Sequence, residues 1–152
     1  MLYSCFFVIM FCMHKNFFHK IKVYYEDTDA GGVVYYANYL KFIERARTEA
    51  LVTLGFNNKK IKEDFGSLIV VKSCNIEYKI SAHLEDELSI RSFVKSITKT
   101  SFFMNQFISR GEALIAEAKV HLVFVNNEGK PVRIPKTLFH DFRPYFCESI
   151  KV

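Results

Sequence analysis

The chain has no tryptophan, and only three prolines and six glycines interrupt it. With so few breakers, most of the 152 residues are open to regular structure rather than linker. Its four cysteines, Cys5, Cys12, Cys74 and Cys147, are widely scattered. No CxxC or Cys/His ligand spacing occurs, which argues against a zinc site, a disulfide framework and metal binding in general. The thiols are therefore expected to be reduced, in a cytoplasmic chain that needs no cofactor. No run of five or six basic residues and no arginine-rich recognition helix appears, so nucleic acid is not an expected partner despite a net charge of +5. A phosphorylated small molecule suits that modest excess of charge as well. There is no GxSxG elbow and no cysteine beside a histidine partner, which disfavours an acyl-enzyme through Ser or Cys. The histidines, His83 and His121 among them, are read as surface or core residues.

A bilayer-spanning run is also missing. The longest uncharged stretch is MLYSCFFVIMFCM, residues 1–13, short of the ~20 apolar residues a spanning helix needs. It lacks the basic start and small-residue cleavage site of a secretory signal. Residues 1–16 are read as an apolar extension, through start-site choice, an interface-packing tail or a weak membrane contact. Residues 17–152 are read as one domain.

What the chain does have is a stretch around which the rest is arranged, Val23–Leu54. An acidic, glycine-bearing turn (Glu26–Gly32) leads through a short apolar link into a helical pattern, Asn38–Leu54. Tyr39, Leu40, Phe42, Ile43, Ala46, Ala50, Leu51 and Leu54 recur at steps of three and four. Gly55 supplies the stop, with Phe56 turned back onto Leu51. Glu44 and Arg47 are spaced to pair along the helix. Asp27 and Asp29 have two readings: both serve as turn and cap carboxylates, or one faces a pocket as base or nucleophile while an amide at the helix start, near Tyr36–Asn38, polarises a carbonyl.

The remainder is strand after strand. Phe17–Tyr25 alternates ahead of the turn. A short surface helix is expected around Lys59–Phe65. Ser67–Ile80, Leu88–Thr98, Ser101–Arg110 and Glu112–Val125 follow, separated by short turns. With no helices between these later strands, a parallel sheet is excluded. The fold class is α+β, an antiparallel sheet wrapped on one long helix.

The segment DTDAGGVVYYANYLKFIERAR closely resembles the DTD-type acyl-CoA thioesterases of the hotdog fold. That group includes 4-hydroxybenzoyl-CoA thioesterases and the bacterial Tol–Pal-associated enzymes. The likeness runs diffusely from about Phe17 to Pro135. It implies a hydrolase for acyl-CoA thioesters in which Asp29 is the catalytic carboxylate and the Tyr36 backbone N–H polarises the carbonyl. Many Tol–Pal-associated members carry histidine where this chain has Tyr36, so only a backbone role transfers there. Lys99 and Ser101 fall where such enzymes hold the CoA phosphate and pantetheine. The resemblance further implies homodimers or homotetramers with active sites between subunits. Phe42, Tyr35, Tyr36 and strand aromatics are candidates to line the acyl pocket. Two rivals remain: a hotdog enoyl-CoA hydratase or dehydratase, which would want a histidine beside the acid, and a non-catalytic module for acyl carrier protein or an envelope partner.

Overall fold

A computed structural model describes residues 14–147; the apolar stretch 1–13 lies outside them. The elements in order are β1 (Phe17–Lys22), α1 (Asn38–Thr53), α2 (Asn58–Phe65), β2 (Leu68–Tyr78), β3 (Glu87–Ile97), β4 (Ser101–Arg110), β5 (Ala113–Val125) and α3 (Lys136–Phe142). The five strands form one antiparallel sheet in the order β1-β3-β4-β5-β2. The meander β3–β4–β5 fills the centre, and the two strands that flank α1 in sequence take the two edges.

Alternation decides which side chains meet the helix. Ile90, Val94, Met104, Ile108, Val120 and Phe124 are buried on one side of the sheet, and Phe42, Ile43, Ala46 and Ala50 of α1 are buried against that layer. Phe42 and Phe124 are fully enclosed. Phe42 is therefore a core residue, outside the walls of the Asp29 cleft described below. The helix ends as its sequence requires. Gly55 has φ +80, its N–H bonds Val52 O at 2.9 Å, and the Phe56 N–H bonds Leu51 O at 2.9 Å. This pair of bonds closes a left-handed C-terminal cap. An antiparallel sheet of five strands curled on one long helix is the hotdog arrangement.

Two details differ from the sequence reading, the end of the first strand and the helix α3, whereas the short helix α2 falls where it was expected. The first strand ends at Lys22 rather than Tyr25, because the chain dives into a 3-10 turn, Tyr25–Asp27, where the Asp27 carboxylate accepts the Tyr24 N–H at 2.9 Å. Tyr25 is left exposed instead of sharing a face with Val23, which is buried. The long helix has two short companions. In α2, Asn57 caps the start through the Lys60 N–H at 2.8 Å, and Ile61 plugs the core from an otherwise exposed helix. In α3, Leu138 and Phe142 are buried four residues apart, and the Phe142 ring lies 5.1 Å from that of Phe102.

Candidate active site

The two acids of the DTD turn have different fates. Asp27 is buried and its groups are occupied. Its carboxylate takes the Tyr24 N–H, while its carbonyl accepts from the Tyr35 N–H and from Asn38 Nδ2, both at 2.9 Å. Asp27 thus ties the turn to the first residue of α1. Asp29 is exposed. Its Oδ1 accepts the Gly31 N–H at 2.8 Å, an Asx turn that fixes the carboxylate's direction. Its second oxygen accepts from no group among the described residues. The turn is docked on the β2–β3 loop, where the Val34 N–H bonds Ala82 O at 2.8 Å and Val33 pairs with His83.

Asp29 and Tyr36 line one open cleft of about 410 Å³. Its other walls are Val33, Val34 and Tyr39 on one side and Tyr78, Lys79, Ile80 and Ser81 on the other. Tyr36 stands one residue before Ala37, the residue that caps α1. No described group accepts from the Tyr36 N–H. The start of α1 has no side-chain cap and no acid in its first turn, so its dipole is unneutralised by the chain. Developing negative charge is favoured at such a point.

Tyrosines frame the opening. The Tyr78 hydroxyl donates to Tyr36 O at 3.1 Å and holds the residue from across the cleft. The Tyr39 ring is 5.4 Å from that of Tyr78, and its hydroxyl oxygen accepts the buried Ala82 N–H at 3.1 Å. Burial pushes both the Tyr39 and the Tyr78 phenol up. A hydrogen bond with Tyr36 raises the Tyr35 phenol, and the charge of Asp29 adds to the same direction. Behind the loop, burial would raise the Asp86 carboxyl. The His83 N–H and Arg110 Nη1, at 2.8 and 2.5 Å from its Oδ2, hold it below the usual carboxylate range.

Lys99 and Ser101 are not brought to this cleft. They sit in the β3–β4 turn, where Ile97 pairs with Phe102, whereas the cleft adjoins the far end of the sheet near Tyr78. A strand of about ten residues separates the two ends, roughly 30 Å. Ser101 is buried, with its hydroxyl shared with Thr98 Oγ1 at 3.0 Å. Lys99 is exposed, and its carbonyl accepts the Ile134 N–H at 2.9 Å. Within one chain the cation in the cleft is Lys79, paired with Glu77 at 2.6 Å. Tyr39 and Lys79 had no signal as site residues, and Tyr78 was covered only by the general expectation that strand aromatics line the pocket.

Known proteins place the chain in a family. The chain is 38% identical over 135 residues to an acyl-CoA thioesterase, YbgC, of Haemophilus influenzae, covering 86% of this chain and 99% of that one. It is 40% identical over 125 residues to the Escherichia coli acyl-CoA thioester hydrolase YbgC, covering 81% and 92%. The fold superposes with a TM-score of 0.78 on a 1,4-dihydroxy-2-naphthoyl-CoA thioesterase from Synechocystis, over 84% of this chain and 98% of that one, at 24% identity. The profile of the Thioesterase-like superfamily matches residues 23–142, from just after β1 to the end of α3, and the chain belongs to that superfamily.

Proposed function

We propose that the chain hydrolyses acyl-CoA thioesters, with Asp29 as the carboxylate that drives cleavage. One observation carries the reading: a carboxylate with a spare oxygen and an unclaimed backbone N–H share a single cleft ahead of α1. The acyl-CoA activity named for the YbgC relatives supports the substrate class. The thioester carbonyl accepts a hydrogen bond from the Tyr36 N–H as charge builds on its oxygen. Asp29 either takes a proton from the attacking water or attacks the carbonyl carbon itself, giving a mixed anhydride that water opens. Both routes use one water and release a carboxylic acid and the CoA thiol.

The site is completed by a second copy. β2 is an edge strand of 11 residues with an exposed row of side chains from Val70 to Asn75, the kind of edge that seeks another strand. A two-fold pairing through its middle extends the sheet across two subunits and can assemble further into a tetramer. The same pairing offers Lys99 a route to CoA phosphate on a neighbouring subunit, with Ser101 holding the turn that presents it. The cytoplasm fits the free Cys74 thiol. Among the described residues no histidine lines the cleft, which weighs against the hydratase reading.

Purified Asp29→Asn, assayed with a panel of acyl-CoAs by free-thiol release, should lose roughly 10²–10⁴-fold in kcat while keeping its circular dichroism. Undiminished turnover would overturn the role of Asp29.

A further inference from the structure

α1 carries a half-buried cation, Arg47, that the cleft does not use. Arg47 lies about three turns beyond Tyr36, roughly 16 Å along the helix axis at ~1.5 Å per residue. Its Nη1 donates to Gln106 Oε1 at 2.9 Å. Gln106 is fully buried, and its Nε2 donates to Ile43 O at 3.0 Å and Ser92 Oγ at 3.1 Å. The partner of the guanidinium is therefore a neutral amide. Glu44 does not pair with Arg47 as the spacing suggested; its carboxylate takes the Thr48 hydroxyl at 2.8 Å. Among the described residues no carboxylate forms an ion pair with Arg47. Burial pushes the guanidinium below the usual arginine range, against the raising influence of Glu44. A half-buried guanidinium bonded to a neutral amide keeps donors to spare, and a ligand carboxylate can take them.

Arg47 edges a cavity of about 130 Å³. Leu51, Ile69, Phe102, Met104 and Leu122 make most of its wall apolar, while Glu44, Thr48 and Asn58 join Arg47 at its polar side. A cavity of ~150 Å³ with apolar walls accepts benzene, so this one suits about six carbons. The cavity opens beside Ile69 and Val71 at the start of β2, whereas the Asp29 cleft lies beside Tyr78 at its end. A compact acyl group cannot reach from one to the other within a chain. A two-fold at the centre of β2 brings the start of one strand against the end of the other and sets the cavity of one copy beside the cleft of its mate.

We propose that Arg47 of one copy binds the terminal carboxylate of a compact ω-carboxyacyl group, of about six carbons, whose thioester is cleaved at Asp29 of the second copy. This rests on the hydrolase reading and on the β2 pairing. The guanidinium fork matches a carboxylate with two parallel donors, and the apolar walls take the methylenes.

Wild-type protein assayed with adipoyl-CoA and hexanoyl-CoA should favour adipoyl-CoA at least ~10-fold in kcat/KM. Arg47→Met should bring that ratio to one or below. A wild-type preference for hexanoyl-CoA overturns the proposal, even if the variant fails to fold. Equal loss on both substrates in Arg47→Met assigns the residue to the fold and also overturns it. Mixed dimers of Asp29→Asn with Arg47→Met chains test the crossing. One of their two sites is then intact, and adipoyl-CoA turnover should return; its failure to return overturns the assignment between copies. If wild type hydrolyses no acyl-CoA at all, the hydrolase reading falls instead, and calorimetry decides the subsite: adipate binding more tightly than hexanoate supports it, the reverse overturns it.

Discussion

Asp27 and Asp29 are two residues apart and chemically identical, yet their surroundings divide the work. Asp27 has given its oxygens to the Tyr24 N–H, the Tyr35 N–H and the Asn38 amide. Asp27→Ala should cost about 1–3 kcal/mol, since it strands a donor in a part-buried turn, and a urea titration would read it. Asp29 should behave in the opposite way, with activity changing and stability not. The contrast can be sharpened without touching the acid. A Cβ at Gly31 would stand 3.0 Å from Asp29 Oδ1, the movable end of a side chain. Gly31→Ala should therefore leave the melting temperature nearly unchanged while turning the carboxylate aside. A misplacement of about 1 Å can cost ~10²-fold, so kcat should fall by roughly one to two orders of magnitude. The two readings of these acids stayed open in the sequence because both are ordinary turn residues. The structure adds that Asp27 is buried and tied into the turn while Asp29 is exposed beside the cleft.

At the scale of elements, the legible parts are those whose cause is local. The apolar spacing of α1 and the glycine behind it place the helix within one residue of Asn38–Thr53. Gly55→Ala should cost at least about 1 kcal/mol, because φ +80 penalises any side chain, and thermal unfolding would show it. The strand alternation is legible for the same reason, and Ser101–Arg110 is found with its expected bounds. What stayed hidden depends on pairing between distant segments. Tyr78 reaches the cleft because β2 runs antiparallel to β5 at the sheet edge. Lys99 misses the cleft because its turn lies at the other end of the same strands. Gln106 meets Arg47 only because β4 passes beneath α1. The helix α3 is short, and its two buried residues make too brief a pattern to stand out.

At the scale of the whole molecule, the sheet has one covered face, two edges and the Asp29 cleft beside one of them. Ser73 is the middle residue of β2, so a two-fold there sets it against its own copy. If the proposed β2 pairing forms, Ser73→Glu should place like charges directly opposite and split it, visible by analytical ultracentrifugation, with turnover lost alongside. The order of strands has a consequence for how the protein comes into being. β3, β4 and β5 join through tight turns and can zip up early, each from its neighbour. β1 must find β3 from the far side of the chain, with Phe17 beside Ser92, and β2 must find β5, with Leu68 beside Val125. Closing such distant loops is slow. The DTD turn hangs between those two latecomers, so a nascent polypeptide acquires its backbone ladder well before it acquires any capacity to cut a thioester. Copies caught before β1 and β2 dock should therefore release no thiol from an acyl-CoA.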